Sequence, residues 1–353
     1  MATSTATGAD AWAMVPMSAG PAFWQVFARA GNSGTWKLVT PPGVASNGGI
    51  VAAAGPADAL TVAVRPSDDL TFSPLAATAN GGATWSAGGP VNGAVAASPG
   101  ALAANGAHLA AVLSDGTVET SSDAGATWSA VAKPGAVAAS PAGKGCDGAV
   151  LVDSISFWMG TAGLLAAGTC GTAGIRAEFA YSADGGWQRL RLPVPGQVVR
   201  LAGGMSLILG KAGLTALWRG TGWYAYAPLG GTTPPGAAAP SPATAAVTQS
   251  APLPAAGAVV ASGTLSPAGA WVLLPGGRAA TVSALGTTAG GPRWLLLPPV
   301  PAHTTVLASG PRGAVDALAV AGATLTVWRL PQAATAWSKV QTTNVPVQSG
   351  SSS

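Results

Sequence analysis

The chain has 353 residues, only 8% of them charged, and a formal net charge of +4; soluble proteins average roughly 25% charged residues. Its Lys and Arg are scattered, with no basic run and no cationic stripe interleaved with aromatics. That argues against a nucleic-acid partner, because phosphate binding needs clustered positive charge.

Fifty Gly and 29 Pro, with no long stretch of apolar residues at helical spacing, predict many short strands joined by turns and scarce helix. Met1 to Gly8 is small and polar and shows no secretory leader, so the expectation is a cytoplasmic protein or a chain that starts after a removed leader. Ala-Trp12-Ala-Met-Val reads as a strand. Gly31–Trp36 leads into Thr-Trp36-Lys-Leu-Val-Thr-Pro-Pro-Gly, a strand that stops at Pro and Gly. Thr78 to Trp85 spells T-x-N-x-G-x-T-W. Strands are predicted over Val95–Ala104, His108–Ser114 and Thr117–Ser122, and Ser121 to Trp128 then spells S-x-D-x-G-x-T-W before a strand at Thr127–Val131. Within that octet Asp123 can accept hydrogen bonds from backbone N–H groups just ahead, Gly125 takes a conformation closed to other residues, and Trp128 packs on the sheet.

The uncharged stretch Ser154 to Ile175 could be mistaken for a membrane span, but its Gly, Thr and Ser suit two buried strands with a Gly-rich turn. Cys146 precedes it and Cys170 lies within it, either as a disulfide or as two buried thiols; the bridge would suit an exported protein. Ser182-Ala-Asp184-Gly-Gly186-Trp187 is a shortened octet. Trp158 and Trp271, with Trp12, form a second aromatic series that reads as the second strand of three repeats. In the last repeat, strands are predicted at Thr304–Ser309, Val315–Val320, Thr324–Leu330 and Thr335–Val340. Residues 231–256 read as a Pro/Ala/Thr-rich inserted loop, and 348–353 as a disordered tail.

Trp36, Trp85, Trp128, Trp187, Trp223, Trp294 and Trp337 each open what reads as a final strand, at spacings of 49, 43, 59, 36, 71 and 43. Propeller repeats run about 40–50 residues. The octet resembles the Asp-box, or BNR repeat, of sialidase-like and photosystem-assembly-factor-like β-propellers. That resemblance implies an all-β fold: a seven-bladed β-propeller of four-stranded antiparallel blades with little or no helix, spanning 1–347. The expected blades are 1–42, 43–90, 91–135, 136–196, 197–230, 231–300 and 301–347. Either Met1 to Gly8 or a returning Asn344 to Ser349 would supply the first blade's inner strand and seal the ring.

The resemblance also divides the residues between two rims. Boxes lie in third-to-fourth-strand hairpins, so Asn80, Gly82, Trp85, Ser121, Asp123, Gly125, Thr127, Trp128, Ser182, Asp184, Gly186 and Trp187 are expected to be structural. Binding belongs to the opposite rim, where the strand reading places Arg65, Asp68, Asp69, Lys144, Asp147, Arg176, Lys211, Arg278 and His303, together with Cys146 and Cys170. The sialidase-like family works with three arginines, a Tyr activated by a Glu, and an Asp. Here no Phe/Tyr-Arg-Ile-Pro motif exists, Val64-Arg65-Pro66 is a poor echo, and Glu178 and Tyr181 lie three apart on one strand, facing opposite ways. No catalytic residue is assigned. His108 and His303 stand alone, so no metal or other cofactor is expected. Trp218 and Trp328 could stack on sugars, though packing between blades suits them better. The expectation is a monomeric, extracellular or cell-surface, non-enzymatic scaffold presenting loops to a protein or carbohydrate partner, without a transmembrane segment. The alternatives are a divergent glycoside hydrolase of the sialidase superfamily and an assembly factor for a larger complex.

Overall fold

The structure, a computed structural model, describes residues 3–7, 10–17, 24–32, 34–41, 50–64, 75–87, 99–158, 163–172, 174–190, 192, 196–201, 205–210, 213–220, 223–229, 259–266, 269–283 and 294–345. Frequent Gly and Pro keep the strands short, and the sequence alternates apolar residues on both faces of each sheet. The outcome is seven four-stranded antiparallel sheets, each built from four consecutive strands, the blades of a β-propeller.

Blade one holds β1 (Thr3–Thr7), β2 (Asp10–Pro16), β3 (Trp24–Arg29) and β4 (Lys37–Leu38); blade two holds β5 (Ile50–Ala54), β6 (Thr61–Val64), β7 (Leu75–Ala77) and β8 (Ser86–Ala87). Blade three holds β9 (Pro99–Asn105), β10 (His108–Leu113), β11 (Val118–Ser121) and β12 (Ser129–Ala132). Blade four, β13 (Val150–Trp158), β14 (Gly163–Cys170), β15 (Ile175–Ser182) and β16 (Gly186–Leu190), is preceded by the single-turn helix α1 (Ala136–Ala139). Blade five is β17 (Gln197–Arg200), β18 (Met205–Gly210), β19 (Gly213–Gly220) and β20 (Trp223–Leu229). Blade six is β21 (Ala261–Ser266), β22 (Gly269–Leu274), β23 (Arg278–Ser283) and β24 (Trp294–Leu296), and blade seven is β25 (Thr304–Ser309), β26 (Val315–Ala321), β27 (Thr324–Leu330) and β28 (Ser338–Asn344).

All seven predicted tryptophans stand at the start of a fourth strand. Trp36, Trp85, Trp128 and Trp337 immediately precede it, and Trp187, Trp223 and Trp294 lie in its first two residues. Trp36, Trp128, Trp187 and Trp294 are buried. Trp12 and Trp271 lie on second strands as expected. Trp158 does not: it ends β13, the first strand of blade four, so the second aromatic series has two members. The inner strand of blade one is its own N-terminal segment β1, and Asn344 ends the outer strand of blade seven.

The described residues gather into two compact units. In the first, which holds blades one, two and seven and most of the first three strands of blade six, Ala13, Phe27, Trp36, Trp271, Leu307 and Leu318 form one core, and Trp12, Val26, Val39, Leu60 and Val62 form another. In the second, which holds blades three to five, the core gathers Val112, Ile155, Phe179 and Trp187 around Cys146 and Cys170.

The turn before β12 shows how a strand start is fixed. Ser121 Oγ accepts from Gly125 N (2.9 Å) and donates to Asp123 Oδ1 (2.7 Å), while Thr127 N and Oγ1 donate to the two oxygens of Asp123 at 2.9 and 2.6 Å. Gly125 has φ +89°, and an added Cβ would lie 3.2 Å from Leu109 Cδ1 and 3.7 Å from the Trp128 ring, so the glycine serves both conformation and space. The indole N–H of Trp128 donates to Gly125 O at 3.0 Å. In the two looser copies Trp85 Nε1 and Trp187 Nε1 are buried and find no acceptor among the described residues. Trp→Phe removes the indole N–H and similar ring volume at either site, but a satisfied bond only at Trp128. Trp128→Phe is therefore expected to destabilise by about 1 kcal/mol more than Trp187→Phe. Urea unfolding of both variants checks this; equal losses, or a larger one at Trp187, contradict it.

Candidate functional site

Each blade has two ends: one carries the third-to-fourth-strand hairpin, the other the second-to-third-strand turn. The hairpin end of blades two and three is self-satisfied. Thr84 N donates to Asn80 Oδ1 (2.9 Å), Asn80 Nδ2 donates to Thr84 Oγ1 (2.7 Å), and Gly82 N donates to Thr78 Oγ1 (3.0 Å). This is the Asp123 arrangement with one donor reversed, since an amide nitrogen replaces a carboxylate oxygen. In blade four, among the described residues, Ser182 Oγ accepting from Gly185 N at 3.1 Å remains of the pattern.

The Thr127 hydroxyl, then the Thr127 amide and the Ser121 hydroxyl, hold the Asp123 carboxyl down to about 2 from 3.8. A depressed folded-state value means the turn's contribution is complete above the unfolded value of 3.8 and is lost as pH falls through about 2. Asp123→Asn is expected to remove this acid limb by lowering stability near pH 7 towards the level wild type reaches in acid, because the amide lacks the charge those bonds favour. Acid titrations of wild type and variant, followed by tryptophan fluorescence, check it; identical acid limbs contradict it.

The opposite end of blade four is elaborated. After β12 the chain forms α1 and a 3₁₀ turn at Pro141–Gly143. Ser140 sits at the joint: its hydroxyl donates to Val137 O (2.7 Å) and accepts from Ala142 N (3.2 Å). An added Cβ on Gly143 would lie 1.9 Å from Ala138 O, so only glycine fits that crossing. Bonds within the loop follow, from Lys144 N to Pro141 O, Cys146 N to Gly143 O and Ala149 N to Cys146 O. Gly171 N donates to Ala149 O at 2.8 Å, and a Cys146–Cys170 disulfide ties the loop to the end of β14. Both sulfur residues are buried, with Arg189 Nη1 4.0 Å from Cys146 Sγ.

Around this staple Lys144 and Asp147 are exposed. Leu151, at the start of β13, is 50% exposed and lies against the β10–β11 turn, where a Cβ on Gly116 would be 3.3 Å from its Cδ1. The ladder then slips between Val152 and Ser154, leaving Asp153 as an extra residue that points outward. Arg176, at the start of β15, takes that carboxylate with both terminal nitrogens, and its Nε and Nη2 also reach Val198 O at 3.3 and 3.2 Å. Arg176 thus links blade four to blade five.

In the first unit Arg278 opens β23 after the second-to-third-strand turn of blade six, and His303 lies just before β25; both are exposed. Arg65, Asp68, Asp69 and Lys211 lie outside the described residues, as do residues 231–256 and 348–353. Sequence reasoning missed Leu151 and Asp153; the signal was the apolar-acidic run Val150-Leu-Val-Asp153 beside Cys146.

Three of the chain's acids are enclosed. Glu178 is fully buried and accepts from Ser206 Oγ at 2.5 Å, Glu119 is buried, and Asp316 is buried in an ion pair with Arg329. Tyr181 faces the other way and stacks on Trp187 with ring centroids 5.2 Å apart. Trp328 is half-buried and packs against the first unit's core. No helix among the described residues is long and apolar enough to cross a membrane.

No family description and no curated protein matches the chain. Solved structures do. It is similar to a xyloglucanase from Xanthomonas campestris at 16% identity and TM-score 0.54, over 95% of this chain and 53% of that one, so it spans about half of that enzyme. It is similar to a candidate 6-phosphogluconolactonase from Bacteroides fragilis at 13% identity and TM-score 0.50, over 97% of this chain and 98% of that one. Similarity to YCF48 from Cyanidioschyzon merolae reaches 14% identity and TM-score 0.49, over 95% of this chain and 93% of that one. At such identities the likeness is one of fold.

Proposed function

We propose that the chain is an exported, monomeric, non-enzymatic propeller of the Asp-box kind, and that the stapled end of blade four recognises a protein or carbohydrate partner. The observation that carries this reading is the disulfide-anchored loop, with Lys144 and Asp147 exposed on it and Leu151 exposed beside it. A bridge of this kind belongs to oxidising compartments. Fixing an exposed polar loop in advance lowers the entropy lost when a partner binds. The hairpin ends of blades two and three offer less, because their polar groups already bond one another. Enclosure of Glu119 and Glu178 keeps both glutamates away from a sugar, so any hydrolytic pair would have to come from aspartates.

Immobilised glycans and a displayed random-peptide library are the probes, with a sugar-release assay on the same glycans. Wild type is expected to bind members of one set without releasing sugar. The Lys144→Ala/Asp147→Ala double variant is expected to weaken binding about tenfold, or ~1.4 kcal/mol, and Asp184→Ala to leave it unchanged. Sugar release, or binding lost only in Asp184→Ala, overturns the reading.

A further inference from the structure

Blade one starts with its own strand β1 and blade seven ends with its own strand β28, so no strand is shared between them. Near their inner strands the two blades meet through apolar residues such as Ala13, Phe27, Leu307 and Leu318. Farther out the contact is polar, and it joins residues from opposite ends of the sequence. Asp316, fully buried on β26, accepts from Trp36 Nε1 at 2.8 Å and from Arg329 Nε and Nη2 at 2.7 and 2.8 Å. Arg329 Nη2 also reaches Gly34 O at 3.1 Å. In return Arg29, buried on β3, donates to Ser309 O of blade seven at 3.1 Å and to Gly31 O, and its guanidinium lies 5.9 Å from the Trp36 ring centre.

Gln341, on β28, completes the set. Its side-chain oxygen accepts from Trp36 N at 2.8 Å, and its side-chain nitrogen donates to Trp36 O at 2.7 Å. Two backbone groups of one residue bonded by one partner is the pairing that neighbouring strands make. Here an amide side chain makes it in place of a strand.

Such a contact behaves unlike an apolar face. Each bond is directional and breaks over a short displacement; when the junction parts the groups bond water instead, whereas a partner deleted from the closed junction leaves the others buried and unpaired. We infer that the Trp36–Asp316–Arg329–Gln341 clasp is a latch: the junction of blades one and seven opens locally, as a unit, while the remaining blades stay folded. Local opening of this sort proceeds with a free energy below that of global unfolding.

Hydrogen exchange read by mass spectrometry on the full chain tests the latch. Gln341 is only half-buried, so Gln341→Leu removes both bonds to Trp36 without burying a new charge. Amides of residues 34–39 and 338–344 are expected to exchange about tenfold faster in that variant, with 150–158 and 163–170 in blade four unchanged. No acceleration at the junction, or equal acceleration in blade four, overturns the inference. Should the variant fail to fold, wild type decides. Its junction amides are expected to exchange with a shallower denaturant dependence than those of blade four, and equal slopes overturn the latch.

Discussion

Asp316→Ala is expected to destabilise the protein by about 3–5 kcal/mol, the loss typical of breaking a buried ion pair from one side. The carboxylate is wholly enclosed and serves Trp36 and both donors of the Arg329 fork. Burial already lowers the pKa of Arg29 below its ordinary value, and the Asp316 carboxylate opposes that shift. Removing it leaves the buried Arg29 with Asp10 as an acidic neighbour and takes from Arg329 the carboxylate it pairs with. Asp316→Asn is expected to lose less, because an amide oxygen still accepts from the Trp36 indole. Guanidinium unfolding of the two variants gives the comparison. A loss near 1 kcal/mol or less for Asp316→Ala contradicts the account, since that is what an exposed hydrogen bond is worth.

Replacing both Cys146 and Cys170 by Ser is expected to lower stability by about 3–4 kcal/mol on the chain-entropy account of a cross-link closing a loop of this size. The separation is 24 residues and the bridge joins the loop to the end of a central strand. Val137, Ala142 and Cys146 also pack in the second unit's core, so the loop keeps some apolar anchorage without the bridge. The expected pattern is therefore a lower unfolding midpoint in urea, with proteolysis entering first at residues 136–149. A variant as stable as wild type, or one cut first in another blade, contradicts this.

What the sequence made legible was punctuation. A tryptophan followed by alternating apolar residues and then Pro or Gly marks a fourth strand, and all seven such tryptophans stand at the start of one. First and second strands share the same two-residue alternation, so the sequence alone does not separate the first strand that Trp158 ends from a second. The slip at Val152–Ser154 lengthens β13 and carries Trp158 to its far end. In blade seven the predicted Thr335–Val340 falls at Ser338–Asn344 instead, because a turn with Ala333 at φ 63° occupies the earlier residues. The clasp was invisible for another reason. Trp36 and Asp316 are 280 residues apart and Trp36 and Gln341 are 305 apart, so no local pattern announces their contact. In the Trp328-Arg329 pair the sequence drew attention to the indole, whereas the guanidinium does the joining.

The division of labour between the two ends of the blades is tested most directly by hydrogen exchange in the presence of a glycan or peptide recovered from the binding screens. The account predicts protection in residues 133–149 and 170–176, with the turns at 78–85, 121–128 and 182–187 unchanged. Protection confined to those turns, with the stapled loop exchanging as in the free protein, would place recognition on the end assigned here to structure.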